Sequence, residues 1–532
     1  MTEEFDAVVV GAGFAGLYML HRLRGLGLTV RVFETGNGVG GTWYWNRYPG
    51  ARCDVESMQY SYQFSDALAQ EWHWTERYAA QPEILRYAEH VADRFDLRKD
   101  IRFNTKVVSA HFDEARAQWK IGTDAGDEVR ARYLVMASGC LSAVNLPEIE
   151  GRDNFKGATY HTARWPHEGV DFSGLSVGVI GTGSSAVQSV PIIARQAREL
   201  FVFQRTPTYS IPAHNAPLDP DEEQRIKADY RGFRMRIAET PFNVDGASST
   251  ESALSVPEER RREVYEEKWQ AGGLQFMGAF NDIVVDAKAN ETAQEFVRGK
   301  IREIVKDPQV ADALSPHFNV GCKRLCIDTG YYETFNRPNV HLVDLKQTPI
   351  ARIAPEGVLT SERLYELDAI VFATGFDAMT GALARIDIRG RGGRSLKEDW
   401  AAGPKTYLGI AVAGFPNLFM ICPGPGSPSV LSNMLPSIEQ HANFIADCIS
   451  YAGARQVSTV EASAEAQEEW VAHVNAVAAP TLFPTANSWY VGANIPGKPR
   501  IFMPYIGGFP VYVQKCNEVA AKGYEGFMLT AR

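Results

Sequence analysis

Residues 5–16 read FDAVVVGAGFAG, and this stretch decides the fold. The run 5–10 is short and apolar, as a strand buried on both faces requires. Gly11, Gly13 and Gly16 follow in G-x-G-x-x-G spacing, and then Leu17, Leu20, Leu23 and Leu26 repeat with helical periodicity until Gly27. TVRVFE at 29–34 reads as a second strand ending on Glu34. Strand, glycine turn, helix, strand and acidic residue make a dinucleotide-binding unit. The first glycine permits the turn, the second lets backbone approach a pyrophosphate, and the third lets helix pack on strand. The helix N-terminus offers N–H donors and a partial positive charge to the phosphates. Glu34, about 20 residues on, is placed to accept from ribose hydroxyls and to repel a 2′-phosphate, which favours FAD or NAD.

The pattern recurs. LSVGVI at 175–180 is a strand, GTGSSA at 181–186 the turn, VQSVPIIARQA a helix despite Pro191, and LFVFQR at 200–205 the next strand. Gly181, Gly183 and Ala186 fit G-x-G-x-x-A, with Ser184 and Ser185 opening the helix. This second unit ends in Gln204-Arg205-Thr206, a cation and a hydroxyl in place of the carboxylate. That suits a 2′-phosphate and assigns NADPH, with Arg205 and Thr206 as its readers. ASG at 137–139 and ATG at 373–375 each follow an apolar strand, as where a chain crosses near a bound nucleotide. One site of each kind predicts a flavoprotein that takes hydride from NADPH, in an α/β fold with two Rossmann-like domains.

The rest of the chain sets bounds. Its 532 residues carry a net charge of −10, which gives little attraction to nucleic acid or anionic membranes. No apolar run approaches the ~20 residues that span a bilayer, and the acidic N-terminus is no secretory signal. Seven scattered cysteines predict reduced thiols in the cytoplasm. Cys53 lacks a CxxC or CxxxxC partner, which excludes a disulfide reductase, and Cys322 and Cys326 lack companions for a metal. Residues 213–318 are rich in Glu, Arg, Lys, Ala and Gln and predict a helical insertion. Strand patterns return at 339–345 and 365–377.

Two longer patterns specify the flavoprotein. Gly41 to Asp54 reads GxWxxxxYPGxxxD, and Phe155 to Pro166 reads FxGxxxHxxxWP. Both resemble the fingerprints of type I Baeyer–Villiger monooxygenases, and Trp165-Pro166 separates them from related N-hydroxylases. KRLCIDTGYYETFNRPNVHLVD at 323–344, WAAGPKTYLG at 400–409, PGPGSPSVLSNM at 423–434 and NSWYVGANIPGKPR at 487–500 resemble the family too. PGSPSVLSN is similar to the phenylacetone and steroid monooxygenase branch. The resemblance implies an FAD domain from residues 1–140 and 377–532, an NADP domain from 141–212 and 319–376, and the insertion at 213–318 within it.

It also implies the reaction: NADPH reduces FAD, the flavin captures O₂ as a C4a-peroxide anion, and one oxygen is inserted beside a ketone carbonyl to give an ester or lactone. Bulky, aromatic or cyclic ketones are the expected substrates. A negatively charged reacting oxygen needs a fixed positive charge, and arginine supplies one that does not lose its proton. By resemblance that residue is Arg324, paired with Asp54, while Lys323 joins Arg205 and Thr206 at the 2′-phosphate. Thr42, Trp43, Asp54 and Tyr60 are implied at the FAD, and Trp489 against NADP on a closing loop. Cys140, Ser429, Leu431 and Met434 are implied around the substrate, with Cys140 standing where phenylacetone-type enzymes have glutamine. His161 is expected to link and orient the domains and not to act as a base. Competing readings are an N- or S-oxygenating flavin monooxygenase and an NADPH oxidase releasing only H₂O₂.

Overall fold

A computed structural model of the chain describes residues 3–246, 248–422 and 424–531. The opening stretch folds as its sequence reads. Glu3–Val10 is a strand whose last four residues are buried, and Phe14–Gly25 is the helix that follows. Leu17, Leu20 and Leu23 are buried, whereas Leu26 caps the helix half-exposed just before Gly27 turns the chain at φ +77°. Glu3–Val10 lies between Val30–Phe33 and Glu128–Met136, parallel to both. The sheet continues outward through Ile101–Arg102 on one side, and through Gln118–Thr123, Val107–Asp113 and Asp387–Arg389 on the other.

The far end of the chain returns to this sheet. Leu418–Met420 pairs in parallel with Glu128–Met136, and the helix Met434–Ala454 packs on the helix Phe14–Gly25. There Tyr18 Oη donates to Asn443 Oδ1 at 2.8 Å and Arg22 pairs with Asp447 at 2.9 Å.

The second large sheet is wholly parallel, in the order Val340–Asp344, Glu199–Gln204, Ser176–Ile180, Ala369–Phe372, Ala158–His161. Every residue of Ser176–Ile180 and of Ala369–Phe372 is buried, as expected of strands covered on both faces. The helix Ser184–Gln196 contains Pro191 in its interior and buries Val187, Val190 and Ile193. The second fingerprint does not merely join the two halves. Its strand Ala158–His161 forms the edge of this sheet, and Trp165 lies in the sheet's core.

In the chain, between Ser210–Pro212 and Cys326–Asp328, come the helices Pro220–Ala228, Tyr230–Ala238, Glu258–Ala271, Ala287–Ile304 and Pro308–Leu314. Asp219, Asp286 and Asp307 cap three of them, each side chain accepting from backbone amides of the first turn. This insertion leaves and rejoins the domain at one place: Ser210–Pro212 pairs in parallel with Cys326–Asp328, Ser210 opposite Cys326. Among the described residues no helix is long and apolar enough to cross a membrane, and all seven cysteines are free and buried.

Candidate active site

The two glycine turns are built alike. Gly11 has φ +106° and Gly181 φ +115°, conformations that side chains rarely adopt. A Cβ on Gly11 would stand 2.6 Å from the Ala137 carbonyl oxygen, and one on Gly181 would stand 2.4 Å from that of Ala373. The ASG and ATG stretches are thus the backbones against which each turn is pressed. Neither following helix has a side-chain cap at Gly13 or Gly183, so their first-turn amides are available to phosphate oxygens.

Glu34 is buried, and its Oε2 and Oε1 accept from the amides of Ala12 and Gly36, each at 2.7 Å. Burial raises its pKa above the ordinary value, with those amides working the other way. Its carboxylate therefore pins the glycine turn. Beside the turn, Ser138 Oγ is buried and finds no partner among the described residues. A buried hydroxyl without a partner is costly unless a ligand completes it. Together with the open helix N-terminus, it fits a bound dinucleotide such as FAD.

Gly16 and Gly183 separate packing from ligand room. A Cβ on Gly16 would overlap the Gly11 carbonyl oxygen at 1.8 Å, while one on Gly183 would meet nothing within 4 Å. Gly16→Ala is expected to yield no stable FAD-loaded protein. Gly183→Ala should melt like the parent, because its φ of −78° suits alanine, yet raise the KM for NADPH several-fold. Melting curves, flavin absorbance and NADPH titrations check both. An unaltered NADPH KM in Gly183→Ala would place the pyrophosphate elsewhere.

The first fingerprint reaches across to the second sheet. Trp43 Nε1 donates to Tyr60 Oη at 3.0 Å. Tyr48 Oη donates to Gln188 Oε1 at 2.8 Å, and Gln188 Nε2 donates back to the Arg52 carbonyl at 3.1 Å. Thr42 opens the short helix Thr42–Trp45. The fingerprint ends on Asp54, which meets Arg324 from the far side of the insertion. Arg324 Nε and Nη2 donate to Asp54 Oδ2 and Oδ1 at 2.8 and 2.7 Å, and Nη1 donates to the Val430 carbonyl at 2.6 Å. Burial opposes the guanidinium charge, but Asp54, with Tyr490 and Cys53, together outweigh it, so Arg324 is held above the ordinary arginine pKa. The pair is bidentate, a rigid fork on a planar acceptor.

Next to Arg324, Lys323 lies 4.2 Å over the Phe318 ring. Burial, then Arg205 and Lys346, pull its pKa below the ordinary lysine value. Thr206 follows Arg205 in the chain, and its carbonyl accepts from Thr182 Oγ1 at 2.6 Å. Cations gathered this way repel one another until an anion joins them, and they fit a 2′-phosphate. Lys346 is the member that sequence reading missed. Asp344 lies opposite Gln204 in the parallel ladder, so the two strand ends deliver Lys346 and Arg205 together.

Of the residues expected at the substrate, Cys140, Leu431 and Met434 share one apolar cluster with Val430, Tyr490 and, partly buried, Trp489. Ser429 Oγ donates to the Cys422 carbonyl at 3.2 Å. Met379, Cys422 and Ser429 hold φ of +66°, +48° and +44°, so this cluster rests on left-handed backbone at non-glycine positions. Pro423 of the 423–434 stretch lies outside the described residues. A separate cavity opens beside Asp54, walled by Tyr78, Phe242, Val244, Leu274 and Met277, with Glu56 and Asp245 also at its lining. None of the four expected lining residues borders that cavity.

His161 is fully engaged. Its Nδ1 accepts from Ala163 N at 3.0 Å, and its Nε2 faces the Asn145 carbonyl at 3.3 Å and Thr374 Oγ1 at 3.2 Å. Burial keeps its pKa below the ordinary histidine value. A neutral ring with both nitrogens engaged has none free to abstract a proton.

Residues 8–272 match the family described as pyridine nucleotide-disulphide oxidoreductase. The chain is 44% identical over 529 residues to a phenazine N-monooxygenase, PhzNO1, of Lysobacter antibioticus, covering 99% of this chain and 97% of that one. It is 45% identical over 525 residues to a Baeyer–Villiger monooxygenase of Pseudooceanicola batsensis, covering 98% and 95%. Among solved structures, an oxidised steroid monooxygenase bound to NADP is 55% identical and superposes with a TM-score of 0.95, covering 99% of this chain and all of the other.

Proposed function

Since the chain belongs to the type I Baeyer–Villiger monooxygenase family, we propose that it oxidises bulky, aromatic or cyclic ketones, with Arg324 as the catalytic cation. The enzyme is a flavoprotein that uses FAD, NADPH and O₂ to convert ketones to esters or lactones. The observation that carries our reading is the bidentate Arg324–Asp54 pair, with Asp54 at the lining of a cavity. When bound, FAD and NADPH supply the reducing equivalents and the activation of O₂.

The chain's own residues do the rest. Asp54 fixes the guanidinium, which stabilises negative charge developing on the reacting oxygens. Lys323, Arg205 and Thr206, with Lys346 beside them, hold the 2′-phosphate. Thr42, Trp43 and Tyr60 border the FAD, and Ser184 and Ser185 lie where the NADP pyrophosphate meets its helix. Trp489, with Cys140, Ser429, Leu431 and Met434, closes the site against water. His161 ties Asn145 to Thr374, the two connections between the sheets, which supports a linking role. The return of Leu418–Met420 to the first sheet supports assigning residues 1–140 and 377–532 to FAD, and 141–212 with 319–376 to NADP. Seven free, buried cysteines support a cytoplasmic setting.

The 55% identity to a steroid monooxygenase supports a large, neutral ketone. A second reading is N-oxygenation, favoured by the 44% identity to the phenazine enzyme. A panel of aryl, cyclic and steroid ketones, assayed beside a heteroaromatic amine and a thioether, tests both. Esters or lactones from the larger ketones are expected, identified by mass spectrometry against NADPH consumed. N-oxide without ester from any ketone overturns the first reading, and H₂O₂ alone overturns both.

A further inference from the structure

Leu408 and Cys422 hold left-handed backbone without being glycine, at φ +57° and +48°. Such backbone is strained and persists only where its surroundings over-determine it. One buried run of hydrogen bonds joins the two. The Cys422 amide donates to His441 Nδ1 at 3.1 Å, His441 Nε2 meets Tyr512 Oη at 2.7 Å, and Tyr512 Oη donates to the Leu408 carbonyl at 2.5 Å. Both side chains are buried. Because Nδ1 accepts and the phenol proton is committed to Leu408, the ring proton sits on Nε2 and points at Tyr512. Burial pushes the His441 pKa down to about 3, so the ring stays neutral and every bond in the run keeps its direction.

Cys422 lies two residues beyond the strand Leu418–Met420, where the chain leaves the first sheet. Its carbonyl accepts from Ser429 Oγ at 3.2 Å, and Ser429 itself has φ +44°. The next residue, Val430, gives its carbonyl to Arg324 Nη1 at 2.6 Å. The helix Met434–Ala454 then begins, and about two turns along it His441 reaches back to the Cys422 amide. Ser429 and Val430 are thus tied to Arg324 on one side, and through Cys422 to His441 and Tyr512 on the other.

We propose that His441 is a positioning residue for ketone binding: through the Cys422 amide it fixes the backbone that carries Ser429, Val430 and Leu431 beside Arg324. The proposal rests on the reading that Ser429 and Leu431 border the ketone. Imidazole suits the task. It accepts on one edge and donates on the other without bringing a charge near the arginine, and its rigid ring sets the distance between Cys422 and Tyr512. Tyr512 anchors that ring from the helix Phe509–Ala521, close to the end of the chain.

His441→Leu removes the acceptor from the Cys422 amide. His441→Asn returns one, because its Oδ1 is borne on Cγ as Nδ1 is in histidine. Both variants give up the bond to Tyr512, so both should melt below the parent. At a temperature well under both melting points, and with equal FAD content, the two should part. His441→Leu is expected to raise the KM for ketone several-fold, to leave the KM for NADPH unchanged and to shift the ratio of the two esters formed from an unsymmetrical ketone. His441→Asn should keep the parent's KM and ratio. A parent-like KM and ratio in His441→Leu, or the same change in both variants, means that the histidine only stabilises the fold and overturns the proposal. If His441→Leu does not fold, Tyr512→Phe, which keeps the ring and frees the far side of the imidazole, is read in the same way: a shifted ester ratio supports the proposal and an unshifted one overturns it. Absence of ester from the parent with every ketone removes the underlying reading, whereas ester from the parent with an unshifted ratio in the variants removes only this one.

Discussion

Arg324→Ala is expected to consume NADPH and release H₂O₂ while forming no measurable ester. The argument is electrostatic. A donor fixed in a water-excluded site is worth about 100- to 1,000-fold in rate, and here a whole positive charge is removed together with its donors. Lysine in its place keeps a charge but loses the fork that meets both oxygens of Asp54. It can also surrender a proton to an anionic oxygen, so Arg324→Lys should remain strongly uncoupled. Product analysis by mass spectrometry, with NADPH absorbance and H₂O₂ followed together, checks both variants. Ester yield near that of the parent in Arg324→Ala would falsify the mechanism.

The second large effect concerns the choice of nicotinamide. Charge-assisted contacts to a phosphate contribute about 1.5–3 kcal/mol each, roughly 10- to 100-fold in binding. Arg205 is exposed, so Arg205→Ala belongs at the lower end, about tenfold in the KM for NADPH. Lys323 is half-buried against Phe318, and Lys323→Ala belongs nearer the upper end. NADH lacks the phosphate, so its KM should barely change in either variant. Steady-state titrations with the two nucleotides decide the matter, and a parallel rise in both constants would mean that the cations act on something other than the 2′-phosphate.

Both dinucleotide units were legible in the sequence, because a glycine turn between a buried strand and a helix leaves little choice of backbone. Pro191 inside a helix and the helical insertion were legible for similar local reasons. The return of Leu418–Met420 was not. A strand that short has no periodicity, and its partner lies far back in the chain. The Arg324–Asp54 pair spans 270 positions, so no spacing argument joins it; resemblance pointed to both residues, and the fold brings them into contact. Lys346 follows from knowing which strand lies beside Glu199–Gln204, which sequence pattern alone leaves open. Ser429 and Cys422 adopt positive φ with no glycine to announce it. Glu34 was read as a ribose ligand, and its grip on the Ala12 and Gly36 amides became visible only in three dimensions.

The short ladder of Ser210–Pro212 on Cys326–Asp328 closes the insertion like a clasp. Phe242, Val244, Leu274 and Met277 hang inside that clasp, while Lys323 and Arg324 sit just before its closing strand. Lys323 and Arg324 lie inside the clasp too, so an exchange at its two strands would carry them along with the cavity wall. An exchange confined to residues 213–318 leaves both in place, and it is the natural unit for rewriting the wall of that cavity.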